Sequence, residues 1–219
     1  MLEKCISQIK PIINEMFNKE FSGHDMGHLV RTMNLALYIH EREGGDKIVI
    51  GLAAFLHDIH RIMQNESGKY VSPKDSIPRV IDILSKLDLT KEQIENICYC
   101  IEHHEDYNWN GNNVSDINTL IVQDADNLDA IGAIGIGRVF AYGGAHNRVM
   151  YDENIPLNEN DDYEEGMNGD ASTIHHFYHK LFKLKDNMNT VTAKKIADDR
   201  ISFMKEFVIK FLDEWNSNF

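Results

Sequence analysis

Helical spacing of apolar residues is the feature that most constrains this fold. Over most of the 219 residues, apolar side chains recur every three or four positions, and almost no segment alternates as a half-buried strand does. A first predicted helix, kinked at Pro11, carries such a face: Leu2, Ile6, Ile9, Ile13 and Phe17. Since 42% of the residues are hydrophobic, the chain can bury a real core. The pattern predicts an all-α fold.

Capping residues and helix breakers divide the rest of the chain. We predict helices over about 26–43, from a cap at Asp46 to about 60, from about 116 to beyond 128, and over about 172–187 and 190–215. Further helices should start at Ser72-Pro73 and at Thr90, with a polar loop over 64–71. The glycines at 132, 135 and 137 allow a close backbone approach or break the helix. The whole chain reads as one domain, with a core over about 20–145, an acidic loop over 143–171 and C-terminal helices over 172–216.

The net charge and the cysteines indicate which binding partners and which cellular compartment to expect. A formal net charge of −13 argues against a groove for a nucleic-acid polymer, although a divalent ion could still bring a small phosphorylated substrate to the chain. Cys5, Cys98 and Cys100 form no CxxC pair and are typical of reduced thiols in a cytoplasmic protein. The weakly polar stretch 128–145 is interrupted by charges, so we expect no membrane span. A homodimer is compatible with all of this.

Three short motifs carry histidine and aspartate into apolar surroundings. They are His24-Asp25-x-x-His28-x-x-Arg31, His57-Asp58 and Asp124-Ala125-Asp126. Each motif alone has an ordinary explanation, such as a core histidine or a helix-terminal charge. Together they would place two histidine-bearing helices and two carboxylate-bearing segments in one core, and buried carboxylates need a partner or a metal.

The order of these motifs resembles the HD-domain superfamily of metal-dependent phosphohydrolases. The signature of that superfamily is a His, a His-Asp doublet and a distal Asp. The resemblance implies the metal ligands His28, His57, Asp58 and Asp126, and a helical bundle with a C-terminal helical extension. Asp126 fits the Ala-Asp-x-Leu pattern, and Asp124 is the alternative.

Longer stretches resemble one group within this superfamily, the YpgQ/YedJ-like nucleotide pyrophosphohydrolases. The resemblance covers nearly the whole chain and is carried by residues 23–28, 124–144 and 174–185. It implies attack of a metal-bound hydroxide on a (deoxy)nucleoside triphosphate, with release of pyrophosphate. A nucleotidase, a cyclic-nucleotide phosphodiesterase and a non-catalytic metal or nucleotide sensor remain alternatives.

The donor atoms that the resemblance implies limit which metal ions can bind. Two imidazoles and two carboxylates suit Mn²⁺, with Ni²⁺, Co²⁺ and Fe²⁺ as alternatives in roughly octahedral geometry. Mg²⁺ and Zn²⁺ are further alternatives, although Zn²⁺ prefers fewer ligands.

Two residues share the helix face of His28. Arg31 lies one turn later, and we expect it to orient Asp58 or Asp126 in catalysis or to clamp a substrate phosphate. His24 lies one turn earlier and is a candidate to support the site or bind substrate.

The residues after the doublet depart from part of the superfamily. Some members place a catalytic acid a few positions further on, where the nearest acid of this chain is Glu66 in the predicted loop. The general acid and base therefore stay open. His60 and Arg61 are candidate substrate-phosphate contacts.

Two more segments contribute candidates by resemblance. Among Glu102-His103-His104-Glu105, we expect His104 to contact substrate or to act as the leaving-group acid, and a two-metal site stays open. In the tail, Lys180 and Lys183 are one turn apart and would form a basic wall for the substrate phosphates.

Overall fold

The structure is a computed structural model that describes residues 1–20, 22–105, 114–157 and 172–218, and within those ranges it is all-α. The prediction of the fold class is confirmed. The α-helices are α1 (Leu2–Phe17), α2 (Met26–Glu43), α3 (Lys47–Leu56), α4 (Ile59–Ser67), α5 (Ile77–Leu84), α6 (Lys91–Glu102), α7 (Ile117–Asp129), α8 (Gly132–Ala145), α9 (Thr173–His179) and α10 (Val191–Trp215). Two 3₁₀ segments, Lys74–Ser76 and Leu181–Asn187, join them. Among the described residues, no helix is long and apolar enough to cross a membrane.

Helix α3 lies at the centre of the bundle. Its residues from Val49 to Leu56 are all buried, because α2, α6 and α7 pack around it. The predicted cap holds its first turn, since the Asp46 carboxylate accepts from the Ile48 N–H at 2.7 Å and from the Val49 N–H at 3.1 Å. A helix buried on every side places whatever follows its C-terminus inside the protein.

The C-terminal helices cover the other side of α7. Helix α10 packs on α8, α7 and α2, and α9 packs on α8. Asp124 of α7 fixes the start of α10, because its carboxylate accepts from the Asn189 N–H at 2.7 Å, the Thr190 N–H at 2.8 Å and the Thr190 hydroxyl at 2.7 Å. Glu43 at the end of α2 makes the same kind of contact with the Thr192 N–H at 2.8 Å. Hydrogen bonds from Asp124 and Glu43 therefore attach α7 and α2 to the C-terminal helices.

Several predicted boundaries are wrong. The third helix ends at Leu56, and α4 begins at Ile59 instead of continuing it. Residues 64–67 are helical, because Gly68 in the left-handed conformation donates its N–H to the Gln64 carbonyl and ends α4 only there. Residues 172–187 form α9 and a 3₁₀ segment with a break at Lys180.

Both outcomes predicted for the glycine-rich stretch occur. The helix breaks between α7 and α8 at Gly132, which has a φ of +79°. Gly135 allows a close approach, since a Cβ there would lie 2.2 Å from the Ala130 carbonyl oxygen. The predicted acidic loop begins inside α8 and continues without helix over 146–157. Its remainder, 158–171, lies outside the described residues.

Candidate metal centre

The His57-Asp58 doublet occupies the break between α3 and α4. The His57 Nδ1 lies 2.9 Å from the Ala54 carbonyl oxygen, which has no helical partner at the end of α3. Asp58 has φ −90° and ψ 13°, a backbone conformation that is frequent in active sites, and it precedes the first turn of α4. The break points both side chains into the core, where His57 is fully buried and Asp58 is 2% exposed.

Carboxylate oxygens from the α3–α4 break and from α7 lie on two imidazole nitrogens, those of His28 in α2 and His57 in the break. The His28 Nε2 lies 3.1 Å from the His57 Nε2, 3.2 Å from the Asp58 Oδ2 and 3.3 Å from the Asp126 Oδ1. The His57 Nε2 lies 3.6 Å from the Asp58 Oδ2 and 3.5 Å from the Asp126 Oδ1. These four residues are the predicted metal ligands.

The hydrogen bonds of the two imidazoles show what can occupy this point. A carbonyl oxygen only accepts, so His57 donates its Nδ1–H to Ala54 and directs the lone pair of Nε2 inwards. His28 Nδ1 lies 2.8 Å from a carboxylate oxygen of Asp129, so its Nε2 presents a lone pair whenever the imidazole is neutral. Nitrogen lone pairs this close to carboxylate oxygens repel them unless a proton or a metal ion lies between.

The separations fit a metal ion. Ligand atoms at about 2.1 Å from an ion lie about 3.0 Å apart when they are neighbours in an octahedron and about 3.4 Å apart in a tetrahedron. The five separations that involve an imidazole nitrogen, 3.1–3.6 Å, cover this range. The donor set suits Mn²⁺, Fe²⁺, Co²⁺, Ni²⁺ or Zn²⁺.

The pKa values of these groups also show that the point attracts positive charge. Burial alone would lower the pKa of His28, but hydrogen bonds with Asp126, Asp129 and Asp58 raise it to about 10. Burial alone would raise the pKa of Asp126, yet His28 and His57 hold it well below its ordinary value. Burial would also raise the pKa of Asp58, but His57 and His24 hold it well below its ordinary value. Both carboxylates are therefore ionised at neutral pH, and without a metal ion the raised pKa of His28 keeps a proton at this point.

Asp124, the alternative distal ligand, faces away from this point. Its carboxylate accepts the hydrogen bonds from Asn189 and Thr190 that fix α10. Asp126 follows Asp124 by two residues of α7, so their side chains point about 200° apart around the helix. The geometry therefore brings only Asp126 to His28 and His57.

Arg31 does not contact Asp58 or Asp126, the partners predicted for it. Its Nε and Nη2 lie 2.8 Å and 3.0 Å from the two carboxylate oxygens of Asp129, in a bidentate ion pair. The reason is that the face of α2 that carries Arg31 packs against α7 at Asp129, one turn beyond Asp126. Arg31 thus orients His28 through Asp129, and its side chain remains 34% exposed.

Asp129 is the principal residue that the motifs did not reveal. Its buried carboxylate accepts from His28, from Arg31 and from the Arg138 Nη1 at 3.1 Å. Burial would raise the pKa of Asp129, but the hydrogen bonds with His28 and Arg31 lower it to about 2. Asp129 follows Asp126 by three residues, as Arg31 follows His28. Two helices with the same i, i+3 spacing can pair both residues at once, and this signal in the sequence could have identified Asp129.

His24 lies beside the cluster on the loop before α2. Its Nδ1 is 2.7 Å from the Asp58 Oδ2, and its side chain is 26% exposed. The loop is held by Arg138, whose Nε donates to the Gly23 carbonyl at 2.8 Å, and Asp25 caps α2 by accepting from the His28 N–H at 2.8 Å. His24 is thus placed to support Asp58 and to meet a substrate.

A second group of side chains lies on the far side of His57. The His60 Nδ1 is 3.1 Å from the His57 carbonyl oxygen, and the His104 Nδ1 is 2.6 Å from the Ile101 carbonyl oxygen. The His57 and His104 rings lie 4.9 Å apart between centroids. Glu105 pairs with Arg61, and its Oε2 lies 3.6 Å from the His60 Nε2. Arg61 Nε is 3.8 Å from the Asp58 Oδ1, so this group borders the metal centre.

The acid expected after the doublet lies elsewhere. Glu66 belongs to α4, not to a loop, and its carboxylate pairs with Arg79 of α5 at 2.8 Å and 3.2 Å. Because Glu66 lies near the end of α4, the helix places it away from Asp58, which precedes the first turn. Glu105 is the acid that the fold brings near, from the turn after α6 and 47 positions after Asp58 in the sequence.

The two predicted tail lysines lie on the C-terminal extension. Lys180 follows α9, and Lys183 lies in the 3₁₀ segment Leu181–Asn187, which packs on α9 and α10. Both side chains are partly exposed. Their role towards a substrate stays a prediction.

Known proteins resemble this chain in sequence and in fold over nearly its whole length. The sequence profile of the HD domain matches residues 26–131, which contain all four converging residues. The chain is 33% identical over 207 residues to YpgQ of Bacillus subtilis, covering 94% of this chain and 91% of YpgQ, a protein described as uncharacterised. The structure of YpgQ in complex with ADP aligns with a TM-score of 0.72 at 30% identity, over 98% of this chain and 96% of that one. An HD-superfamily hydrolase from Bacillus thuringiensis aligns with a TM-score of 0.75 at 34% identity over all of both chains.

Proposed function

This chain belongs to the HD-domain superfamily of metal-dependent phosphohydrolases, and on that premise we propose that it hydrolyses nucleoside or deoxynucleoside triphosphates to a monophosphate and pyrophosphate. The observation that carries the proposal is that the His28 and His57 nitrogens lie within 3.1–3.6 Å of each other and of both Asp58 and Asp126. YpgQ was crystallised with ADP, which supports a nucleotide as the ligand. We further propose Mn²⁺ as the ion and the cytoplasm as the compartment.

The four converging residues would hold the ion. When bound, a divalent ion of this kind lowers the pKa of a coordinated water and neutralises charge on a phosphoryl oxygen. Asp129 keeps the Nδ1 of His28 protonated and its Nε2 directed at the ion, while Ala54 does the same for His57. The protein therefore fixes both imidazoles before any substrate arrives.

Cationic side chains around the cluster could receive the phosphate groups. Arg61 is 27% exposed and reaches within 3.8 Å of Asp58, and Arg31 is 34% exposed beside Asp129. His24 and His60 lie on either side of the doublet. We propose Arg61, Arg31 and His24 as phosphate contacts, because each combines a charge or a donor with partial exposure next to the metal ligands.

His104 fits a substrate contact better than it fits an acid. Burial lowers the pKa of His104 to about 4, so its imidazole is neutral at pH 7. Its Nδ1–H is committed to the Ile101 carbonyl, which leaves a lone pair on Nε2. A neutral imidazole with a free lone pair accepts a proton or a cation and has none to donate. The leaving-group acid stays open.

Product analysis tests the proposal. The metal-free chain is incubated with nucleoside triphosphates, monophosphates and cyclic nucleotides, each with Mn²⁺, Ni²⁺, Co²⁺ or Mg²⁺, and the products are separated by ion-exchange chromatography. We expect monophosphate plus pyrophosphate. Nucleoside plus phosphate would instead identify a nucleotidase, and hydrolysis confined to cyclic nucleotides would identify a phosphodiesterase.

Two matched variants separate an enzyme from a sensor. Asp58→Ala should abolish both metal binding and turnover, whereas Asp82→Ala, on the exposed face of α5, should change neither. A wild-type chain that binds metal and nucleotide but turns over none of the substrates would contradict the enzymatic proposal and favour the sensor.

A further inference from the structure

The turn that carries His24 is attached to α8, a helix that supplies none of the proposed metal ligands. Those ligands come from α2, the α3–α4 break and α7. One side chain of α8 nevertheless reaches the site, because Arg138 is only 14% exposed and lies against the turn before α2. Its Nε donates to the Gly23 carbonyl at 2.8 Å, and its Nη1 lies 3.1 Å from the Asp129 Oδ2.

The backbone of Gly23 permits this close contact. Gly23 has a φ of +102°, in the left-handed region that favours glycine. A Cβ on Gly23 would lie 3.4 Å from both the Cβ and the Cγ of Arg138, so the stem of the arginine covers the turn. The start of the turn is attached separately to α4, since the buried Glu20 carboxylate accepts from the Asn65 amide at 2.7 Å. His24 therefore extends from a backbone that two different helices hold.

His24 uses this position to hold one oxygen of Asp58. Its Nδ1 lies 2.7 Å from the Asp58 Oδ2, the same oxygen that lies 3.2 Å from the His28 Nε2. A carboxylate only accepts, so His24 donates its Nδ1–H, and this bond sets how the carboxylate faces His28. A shift of the turn by about 1 Å would break the bond, because a contact of about 3.6 Å is no longer a hydrogen bond.

We infer that Arg138 is a positioning residue, which places His24 through the Gly23 carbonyl and so connects α8 with the metal centre. A guanidinium suits this role because it is planar, and its Nε and Nη1 donate in fixed directions to Gly23 and Asp129. Asp129 in turn holds His28, so one side chain aligns the supports of two histidines. The inference rests on the metal centre of the proposed function, but its test needs no turnover.

Two variants of Arg138 isolate the Gly23 contact. Arg138→Gln places an amide N–H where the arginine has its Nε, so the bond to Gly23 can persist. Arg138→Met has a side chain of the same length without a donor. Both variants lose the charge and the contact with Asp129, so the difference between them reports the Gly23 contact alone. Arg200→Met is the control, since it removes a similar bond from an arginine, to the Leu128 carbonyl of α7.

The tautomer of His24 is the direct readout. Because burial lowers the pKa of His24, its imidazole is neutral at about pH 8. Long-range ¹⁵N–¹H NMR spectra of the full chain, with and without Zn²⁺, distinguish Nδ1–H from Nε2–H, and His24→Ala assigns the signals by their absence. We expect Nδ1–H in the wild type, in Arg138→Gln and in Arg200→Met. In Arg138→Met we expect a shift to the Nε2–H form that prevails in water.

Metal affinity is the second readout, measured by calorimetry with Mn²⁺. His24→Ala should raise the metal Kd by about tenfold, as expected for a group that orients a metal ligand. Arg138→Met should bind metal about fivefold more weakly than Arg138→Gln, because the turn is loosened but His24 remains. In the His24→Ala background the two Arg138 variants should agree within about twofold, because the position of the turn then no longer matters.

Equal tautomers or equal metal Kd values in Arg138→Gln and Arg138→Met would refute the inference, as would an Nε2–H tautomer of His24 in the wild type. If Arg138→Met fails to fold, as judged by circular dichroism, Arg138→Ala replaces it, because alanine favours the helix and is too short to reach Gly23. The expected tautomers in a chain that hydrolyses no nucleotide would refute the proposed function alone. Hydrolysis by a chain whose two Arg138 variants do not differ would refute this inference alone.

Discussion

Replacing the carboxylate of Asp129 by an amide should weaken metal binding without removing any metal ligand. In Asp129→Asn, His28 loses a charged acceptor at 2.8 Å and Arg31 loses its bidentate partner. Groups that orient a metal-binding histidine typically contribute 10–100-fold to metal affinity. Because the amide oxygen can still accept from the Nδ1–H, we expect about the lower limit, a tenfold rise in Kd or roughly 1.4 kcal/mol.

The same substitution should lower stability in a pH-dependent way. The pKa of Asp129 is about 2, against an ordinary 3.8, and this difference corresponds to about 2.5 kcal/mol at neutral pH. A carboxyl group whose pKa is lowered in the folded state stabilises it fully above pH 3.8, and this contribution is lost as the pH falls towards 2. The wild type should therefore lose stability over that interval, and Asp129→Asn should lack that part of the loss.

A variant on the same helix provides the control. Asp124 is equally buried and also accepts several hydrogen bonds, but from Asn189 and Thr190 instead of His28. Asp124→Asn should reduce the free energy of unfolding in urea and leave the metal Kd within about threefold, because no metal ligand loses its partner. If calorimetry gave Asp129→Asn the wild-type Kd, or gave both variants the same weakening, the orienting role of Asp129 would be refuted.

Four further predictions concern single positions. Asp126→Ala should raise the metal Kd by more than about a hundredfold in calorimetry, since it deletes one of four converging ligands. In α8, Gly135→Ala should lower the unfolding free energy by about 2 kcal/mol or more, because its Cβ would meet the Ala130 carbonyl at 2.2 Å. Gly137→Ala, with nothing within 4 Å of its Cβ, should raise it by about 0.5–1 kcal/mol, and urea unfolding measures both. Thr90→Ala removes a capping box and should cost about 1 kcal/mol of thermal stability with no change in metal affinity.

Local sequence determined most of the helices, because their signals act over three or four residues. The caps at Asp46 and Thr90 lie where the pattern placed them, and the apolar spacing correctly predicted α1, α2 and α10. The helix boundaries that were predicted wrongly, such as the break at His57, have no strong signal in the sequence. Nothing in the apolar pattern marks the break at His57, because residues on both sides of it are buried and apolar.

The candidate metal ligands were visible in the sequence as motifs, but their contacts were not. A motif shows which residue types recur, whereas a helix turns each side chain by about 100°, so neighbours such as Asp124 and Asp126 end in opposite surroundings. Only the packing of α2 against α7 showed that Asp126 meets His28 and that Asp124 holds Thr190. The same packing directs Arg31 to Asp129.

Tertiary structure alone decided the contacts between distant segments. His28 and Asp129 are 101 residues apart, and His60 and Glu105 are 45 apart, so no local spacing connects them. Their meeting depends on helix packing that all the buried side chains determine together. The sequence by itself therefore identified an all-α chain with candidate metal ligands, and the fold decided which of these residues lie together and which side chains hold them in place.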